Sequence, residues 1–517
     1  PLLALADGQT RLIILIGYMA LLLILGFFAS RWFRGTKSDY LLASHSIGPF
    51  LLLMSMFGTT MTAFALVGST GEAYTKGIGV YAMLASASGI MHSLCFFVIG
   101  VKIYQFGRKY GYTSQVQFFR DRLESDFVGV LMFPSLVALI IPYLLIGVIA
   151  GGKMIEVMTV GALPLDVISA NGSVPPWLGS LVICLVVLSY VFFGGMRGTA
   201  WANAFQTTVF MVLGVVTFVL LANKMGKGES FFQSVSNLSE SLSQSKGTRE
   251  GIRHTKYLTY MLIPLSVGMF PHLFQHWLTA RNAKTFRLPV ILHPIFIMIV
   301  WAPCVLIGAW ASTLALPTGI SPNAVLPMLV NTQIGPVMGG FLAAGILAAI
   351  MSSLDSQFLC LGTMFTTDVV SHYNRKVSDR AQVWFARAFI VAIVGITYVL
   401  SLVDGSKSVF TMAIWCFSGF TGLFPIVVAA LYWKKLTAAG VVSGTIAMLF
   451  SWVYLFRDSG WGAERDYVVE LYSNKVPVMP VTVIILCSTL AMVITSLLTR
   501  PPSQKTLDKF FPTNGSN

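Results

Sequence analysis

The sequence predicts an all-α integral membrane protein with 13 transmembrane helices. Of its 517 residues, 56% are hydrophobic and only 10% are charged, whereas about a quarter of the residues in an average soluble domain are charged. Apolar runs recur from end to end, and each approaches the roughly 20 residues that a helix needs to cross a bilayer. The basic residues are concentrated in alternate connecting loops. These observations favour a single transmembrane domain over residues 1–517.

The apolar runs are treated as spans in chain order, a leading span followed by span 1 to span 12. Their predicted limits are 11–32 for the leading span, then 47–73, 78–105, 127–159, 176–195, 198–223, 257–279, 288–316, 335–371, 382–403, 408–432, 436–456 and 477–498. The leading span is too long for the core of a signal peptide. The polar segments between spans are shorter than an ordinary domain, so no separate soluble domain is expected.

The distribution of basic residues predicts the orientation of the chain. One set of loops carries Arg31, Arg34, Lys37, Lys102, Arg108, Lys109, Arg120, Arg122, Arg197, Arg281, Lys284, Arg287, Arg375, Lys376, Arg380, Lys434 and Lys435. The alternating short loops 160–176 and 317–334 carry neither Lys nor Arg. Because short cytoplasmic loops are rich in Lys and Arg, we expect the N-terminus outside and the C-terminus in the cytoplasm.

The net charge is +14. We expect the basic residues of the loops to contact anionic membrane lipid, and nucleic-acid binding is not expected. The six cysteines have neither metal-binding nor disulfide spacing. Together with the short tail after span 12, this favours a multi-pass protein of a bacterial inner (plasma) membrane. No nucleotide-binding loop or nucleophile elbow is present, so an enzyme is not expected.

Spans 1 and 6 carry residues that interrupt helices. Span 1 contains Gly58 among hydroxyl side chains, and span 6 contains Pro264, Gly268 and Pro271. Two interrupted helices five spans apart are typical of inverted-repeat transporters with a site at the breaks. The alternative is that Gly and Pro are simply common in membrane helices.

Span 8 contains a polar face within an apolar helix. Ser352, Asp355 and Ser356 are three and four residues apart and therefore share one side of a helix. Their oxygens suit an alkali cation or a proton, and a carboxylate at this depth is a functional candidate. Packing between helices would explain the serines but not Asp355.

Several motifs resemble the sodium:solute symporter family, in particular its proline, pantothenate and sialic acid branch. They are Met351-Ser352-Ser353 in span 8, Gly194-Gly195 before Ala200-Trp201-Ala202-Asn203, and Pro271-His272 before Thr279-Ala280. The resemblance implies a LeuT-like 5+5 inverted repeat with one leading and two trailing helices. The first repeat would be 47–223, the inverted second repeat 257–432, and the trailing spans 436–498.

The resemblance also implies sodium as the coupling ion and a site for it. The expected ligands are the carbonyls of Gly58, Met61 and Ala349 and the hydroxyls of Ser352 and Ser353. Many relatives carry Asp where this chain has Asn203, whereas this chain carries Asp355 in span 8. We therefore expect a second cation site or a proton site at Asn203, Asp355 and Ser356. The alternative is a purely structural hydrogen bond between Asp355 and Asn203.

The substrate site implied by the resemblance lies between spans 1, 2, 3, 6 and 10. Its expected residues are Thr60, Phe64, Ser88, His92, Tyr143, Ile263, Val267, Trp415 and Ser418. Proline transporters carry Asp at the position of Thr60 and aromatic residues where span 6 is aliphatic here, and the sugar ligands of glucose transporters are not visible. A small monocarboxylate or amino-acid-like solute fits better.

The function implied is sodium-coupled symport of this solute into the cell by alternating access, by a monomer in contact with lipid. Proton-coupled or cation-independent transport remains an alternative, and so does a non-transporting ligand sensor with the same fold. His272 and His276 are four residues apart in span 6, but they lack a third ligand, so no transition-metal site is predicted.

Overall fold

The predicted spans form long helices that pack side by side in the computed structural model. The structure describes residues 2–31, 36–164, 169–250, 252–317, 319–403, 408–471 and 476–512. The helices long and apolar enough to cross a membrane lie at Asp7–Phe28 (within Leu2–Arg31), Gly79–Tyr110, Asp126–Met158, Pro176–Gly226, Ala283–Ala311, Pro336–Tyr373, Asp379–Val403, Val409–Tyr432, Ala438–Asp458 and Pro480–Leu498. The end of the predicted leading span, Trp32, lies outside the described residues.

Two further apolar segments consist of bent pairs of helices. Pro49–Thr60 and Phe64–Lys76 meet at 55° and cover predicted span 1, and His254–Met269 and Pro271–Thr279 meet at 50° and cover predicted span 6. Short helices connect the spans at Lys37–Leu42, Ala43–His45, Gln115–Leu123, Phe231–Glu240, Gln244–Gly247, Pro322–Ala324 and Val325–Gln333, and Gln504–Phe510 follows the last span. Between spans 11 and 12, strands β1 (Val469–Leu471) and β2 (Val476–Val478) pair antiparallel, with Val469 opposite Val478.

The number of spans in the described residues is ten, or twelve if each bent pair is one span, and the predicted count of 13 is not confirmed. The difference lies at Pro176–Gly226, which counts as one span here and was predicted as two. A continuous helix of that length would measure about 75 Å, more than twice the hydrocarbon core. The backbone leaves the helical conformation at Gly195 (φ 53°, ψ −153°), so the prediction of two spans depends on this break.

Local chemistry explains many of the helix starts. Pro49, Pro176, Pro271, Pro336 and Pro480 each stand in the first turn of a helix. There the missing N–H removes no intrahelical hydrogen bond, and the ring restricts φ to a helical value. These prolines therefore define where the corresponding helices begin.

Spans 8 and 10 form the centre of the bundle. In the most apolar 18-residue stretch of each of these spans 83% of the residues are buried, compared with 28% in the corresponding stretches of spans 9 and 12. Span 8 packs against spans 1, 3, 4 and 5 and against the leading helix. Spans 9 and 12 expose large apolar side chains such as Val399, Leu402, Leu490 and Leu497, as expected of helices that face lipid.

Candidate functional site

Span 1 is interrupted in the middle of the bundle. Its first helix ends at Thr60, and the φ of −90° and ψ of 84° at the next residue, Met61, are not helical. The second stretch starts at Phe64, whose N–H donates to Thr62 Oγ1 at 3.1 Å. Residues on both sides of the break are buried, including Gly58 and Thr60 before it and Phe64 after it. An interrupted helix leaves main-chain oxygens without intrahelical partners, and these become available to other groups.

Span 6 is interrupted in the same way. Phe270 is extended (φ −64°, ψ 116°) and Pro271 starts the second helix. Because proline lacks an N–H, it cannot continue the hydrogen bonding of the preceding segment. The prediction that spans 1 and 6 are interrupted is therefore confirmed.

Span 8 brings a hydroxyl group to the break in span 1. Ser352 Oγ lies 2.9 Å from the main-chain oxygen of Gly58 and 3.1 Å from that of Ala349. Span 1 approaches closely here because Gly58 has no side chain: an added Cβ would lie 2.4 Å from Thr207 Oγ1 of span 5. Three of the five predicted sodium ligands therefore meet at one point.

The other two predicted ligands, Met61 and Ser353, are close in sequence to Gly58 and Ser352, respectively. Met61 is the residue at which span 1 breaks, and Ser353 donates from Oγ to the main-chain oxygen of Ile350 at 2.9 Å. Both residues are buried. A serine that donates its hydrogen to a helix carbonyl keeps its oxygen lone pairs for a cation. The five groups offer oxygen atoms without a net charge.

Asp355 lies fully buried one turn further along span 8. Tyr190 donates its hydroxyl to Asp355 Oδ2 at 3.0 Å, and Ser356 Oγ donates to Oδ1 at 3.1 Å. The acceptors around Asn203 require its amide nitrogen to face the carboxylate, and it then donates to Oδ2 and Oδ1 at 2.9 and 3.0 Å. Asp355, Asn203 and Ser356 are therefore brought together, with neutral hydrogen-bond partners.

Two residues of this network are absent from the sequence prediction. Tyr190 lies in span 4, and His276 of span 6 places Nε2 3.1 Å from Ser356 Oγ. Tyr190 belongs to no motif that marks it in the sequence, and His276 was considered only together with His272 as a pair that lacks a third metal ligand. The described residues contain no group of three or more His, Cys, Asp or Glu side chains that could hold a metal ion.

A cavity lies beside the breaks in spans 1 and 6. Seven of the nine predicted substrate residues line it: Thr60, Phe64, Ser88, His92, Tyr143, Ile263 and Val267. Leu84, Tyr260, Pro264, Ser266, Phe270, Trp301 and Phe417 complete the described lining. None of these is Asp, Glu, Lys or Arg. The cavity therefore combines aromatic and aliphatic walls with hydroxyl, imidazole and indole groups.

Trp415 and Ser418 of span 10 lie elsewhere. Trp415 lines a neighbouring cavity and packs on Phe456 and Tyr467, and Ser418 Oγ donates to the main-chain oxygen of Ile414 in its own helix at 2.6 Å. Because successive helical residues differ by about 100° in direction, the intervening Phe417 lines the cavity instead.

The neighbouring cavity is lined by an ionic cluster, namely Glu72, Lys76, Lys256, Arg465 and Asp466. Asp466 lies between spans 11 and 12 and pairs with Lys76 of span 1 and, at 2.9 Å, with Lys256 of span 6. Glu72 pairs with Lys76 at 2.6 Å and with Arg465 at 3.6 Å. The carboxylate of Asp466 therefore links the end of span 1, at Lys76, to the start of span 6, at Lys256.

Burial alone would raise the pKa of Asp466, but hydrogen bonds and charges from Lys76 and Lys256 outweigh it and lower the pKa to about 2. Asp466 therefore keeps its negative charge at neutral pH. Tyr260 lines both cavities, so the ionic cluster lies next to the cavity that holds the predicted substrate residues.

Comparison with known proteins identifies the family. The family model described as sodium:solute symporter family matches residues 40–447. A sodium/proline symporter of Staphylococcus aureus (strain bovine RF122 / ET3-1) is 28% identical over 468 residues, which cover 86% of this chain and 85% of that protein. The protein of the same name from strain JH9 is 27% identical over 472 residues, with the same coverage.

Two solved structures share the fold. A sodium-coupled sialic acid symporter in a substrate-bound outward-open state has a TM-score of 0.73 at 18% identity, covering 96% of this chain and 100% of that one. A nucleobase-cation-symport-1 family transporter in a closed conformation with bromovinylhydantoin bound has a TM-score of 0.58 at 13% identity, covering 91% and 97%. Both are LeuT-fold-like transporters. The chain belongs to the sodium:solute symporter family.

Proposed function

We propose that this chain is a sodium-coupled symporter that carries a small organic solute, a monocarboxylate or an amino-acid-like acid, into the cell by alternating access. Family membership and a sodium-coupled structural neighbour support sodium coupling. The observation that carries the proposal is the break in span 1. Gly58 and Met61, the expected sodium ligands, flank Thr60, which lines the cavity.

Sodium would be held by oxygen atoms that the two spans already bring together. Ser352 Oγ lies within hydrogen-bond distance of the Gly58 and Ala349 oxygens, and Met61 and Ser353 would complete a five-oxygen shell. A shell of neutral oxygens binds an alkali cation weakly enough to release it in each cycle. Because spans 1 and 8 both contribute ligands, sodium would favour the conformation in which these spans are in contact.

The first experiment is thermal stabilisation of the purified protein by small acids, amino acids and sugars in sodium chloride and in choline chloride. We expect a solute that stabilises only in sodium, and we expect Ser352→Ala to remove this effect. Ser135→Ala is the matched control, because Ser135 is a buried serine of span 3 whose Oγ donates to Leu131 of its own helix at 2.7 Å. Equal stabilisation in both salts would contradict sodium coupling.

Asp355 supports a second candidate function, in which a proton or a second cation couples transport. Its carboxylate is buried and its partners Tyr190, Ser356 and Asn203 are neutral, so either a cation or a proton would offset its charge. Under this proposal Asp355→Asn changes the sodium Hill coefficient or the pH dependence of transport. Unchanged coupling with reduced expression would indicate the structural hydrogen bond instead.

The proposed topology places the N-terminus outside and the C-terminus in the cytoplasm of a bacterial inner membrane, with the protein acting as a monomer. Residues 47–223 and 257–432 would be the two inverted repeats. Cysteines at two exposed positions, Asn171→Cys in the loop before span 4 and Lys284→Cys in the short helical turn before predicted span 7, test the orientation. An impermeant maleimide added to intact cells should label only the first. Labelling of Lys284→Cys alone would indicate the reverse orientation.

Uptake of a bound solute would exclude a non-transporting sensor.

A further inference from the structure

Two buried histidines form a pair at the wall of the cavity. His92 of span 2 lines the cavity, and its Nδ1 lies 3.1 Å from Nε2 of His293 in span 7. His293 is fully buried and its Nδ1 has no hydrogen-bond partner. Its ring packs edge-to-face on Phe57 and Phe96, with centroids 5.3 and 4.9 Å apart. The pair was not part of the sequence prediction, which named only His92.

The hydrogen bond between the two rings restricts their tautomers. In a neutral imidazole one nitrogen donates and the other accepts. If His92 Nδ1 donated, His293 would carry its hydrogen on Nδ1, which has no acceptor among the surrounding groups. Buried N–H groups without an acceptor are rarer than buried acceptors without a donor. The favoured arrangement therefore has His293 Nε2–H donating to His92 Nδ1, which leaves the hydrogen of His92 on Nε2.

We infer that His293 holds His92 as an Nε2–H donor, and that this donor binds the carboxylate of a solute that has no ammonium group. The inference rests on the proposed function and names the class of solute. His92 is the specificity-determining residue, and His293 is a positioning residue that acts through it.

Other groups of the cavity agree with an anionic solute. Trp301 Nε1, which can only donate, and the hydroxyl of Tyr260 are buried without hydrogen-bond partners. The described lining contains no carboxylate that would neutralise an ammonium group. A buried charge without a partner is costly. The amino group of an amino acid therefore lacks a partner of opposite charge, whereas a carboxylate meets several donors.

The sodium ligands supply the positive charge that the lining lacks. Thr60 lines the cavity between the two span 1 residues, Gly58 and Met61, whose carbonyls are the expected ligands. Sodium bound there would lie beside the solute and attract its carboxylate in an environment of low dielectric constant. Binding of the carboxylate should therefore depend on sodium, and this dependence should be weaker for a neutral solute of the same shape.

The test is calorimetric titration of the full-length purified protein with propanoate, propanamide and alanine, in sodium chloride and in choline chloride. Propanamide keeps the shape of propanoate without its charge, and alanine adds an ammonium group. We expect propanoate to bind in sodium about tenfold or more tightly than either analogue. Tighter binding of propanamide or alanine, or no sodium-dependent binding of propanoate, overturns the inference.

Variants of the pair test the tautomer. His92→Phe and His293→Leu should each reduce the preference for propanoate over propanamide about tenfold. His293→Gln should retain the preference, because the glutamine amide can donate to His92 Nδ1. Loss of preference in His293→Gln, or retention in His293→Leu, overturns the role of His293.

His272→Phe is the matched control for replacing a buried imidazole. His272 is fully buried and does not line the cavity, but its ring packs on Tyr143 and Phe270, which do. We expect it to leave the propanoate preference unchanged, even where it changes the melting temperature. An equal loss in the control would assign the effect to packing and overturn the inference. Sodium-dependent binding of alanine instead of propanoate would overturn the inference and leave the proposed function standing.

Discussion

At the scale of single residues, the close approach of spans 1, 5 and 8 depends on Gly58. The position that a Cβ would take lies 2.4 Å from Thr207 Oγ1 and 3.5 Å from Ser352 Cβ. Thr207 Oγ1 in turn donates to the main-chain oxygen of Met54 at 3.0 Å. A side chain at position 58 therefore clashes with Thr207 and pushes span 1 away from span 5, and this movement would shift the Gly58 oxygen relative to Ser352.

Gly58→Ala should lower the apparent sodium affinity and cost about 1–3 kcal/mol of stability through overpacking. Adding Thr207→Ala removes the clashing oxygen and should restore part of both losses, which a double-mutant cycle measures by sodium titration and thermal unfolding. Additive losses in the double variant would contradict a direct clash between these two positions.

Candidate site residues could be predicted from the sequence where a polar side chain lies within an apolar span. Ser352 and Asp355 stand out because hydroxyl and carboxylate groups are unusual within an apolar span. The contacts of Tyr190, His276 and His293 could not be predicted from the sequence because they join residues far apart in the chain. Phe417 was missed because the direction of a side chain around span 10 depends on how that helix is rotated in the bundle.

At the scale of elements, Gly195 determines how spans 4 and 5 are joined. Its φ of 53° and ψ of −153° lie in a region that essentially only glycine adopts. A Cβ there would also lie 2.6 Å from the ring of Tyr40. The preceding Gly194 has open space around it, with no atom within 4 Å of an added Cβ.

Gly195→Ala should therefore destabilise the protein by about 1–3 kcal/mol from backbone strain, with a further loss from the contact with Tyr40. Gly194→Ala is the matched control and should leave the melting temperature within about a degree or raise it, because Ala favours helix. Thermal unfolding of both variants in the same detergent makes the comparison. Equal melting temperatures would contradict the strained break.

Hydropathy located the spans, and glycine and proline located the interruptions in spans 1 and 6. Both predictions follow from local chemistry, because a membrane helix must have apolar side chains and must form the hydrogen bonds of its backbone within itself. The predicted count of 13 spans is not confirmed, and the reason is physical. The boundary between spans 4 and 5 has no polar loop, and it depends on the backbone angles of one glycine.

At the scale of the whole molecule, the ionic cluster joins three parts of the chain. Asp466, Lys76 and Lys256 link the segment between spans 11 and 12 to the ends of both broken spans. Asp466 and Lys76 are 390 residues apart, so no local pattern in the sequence could have predicted their contact. If the broken spans separate at this end when the cavity opens, these ion pairs must break.

Asp466→Asn should therefore favour the conformation in which the cavity is open at this end. The measurement is the rate at which an impermeant thiol reagent modifies Ser88→Cys, a cavity position, in a background without native cysteines. We expect faster modification in Asp466→Asn and no change in Glu470→Gln, an exposed carboxylate of β1 in the same segment. Equal rates in all three proteins would contradict a gating role.

The low pKa of Asp466 gives this prediction a pH dependence. A carboxylate with a lowered pKa stabilises the folded contact above its unfolded pKa, and the contribution is lost as pH falls through the folded value of about 2. The ratio of the modification rates of Ser88→Cys with and without Asp466→Asn should therefore be constant between about pH 5 and about pH 8, because both proteins share the pH dependence of the thiol.

Sodium-driven uptake in proteoliposomes tests the central claim most directly. The solute found by the stabilisation screen is supplied outside, with an inward sodium gradient or with choline in its place. The account predicts accumulation only with the sodium gradient, its loss in Ser352→Ala and its retention in Ser135→Ala. Accumulation that is equal in choline, or unchanged in Ser352→Ala, would contradict sodium coupling at the junction of spans 1 and 8.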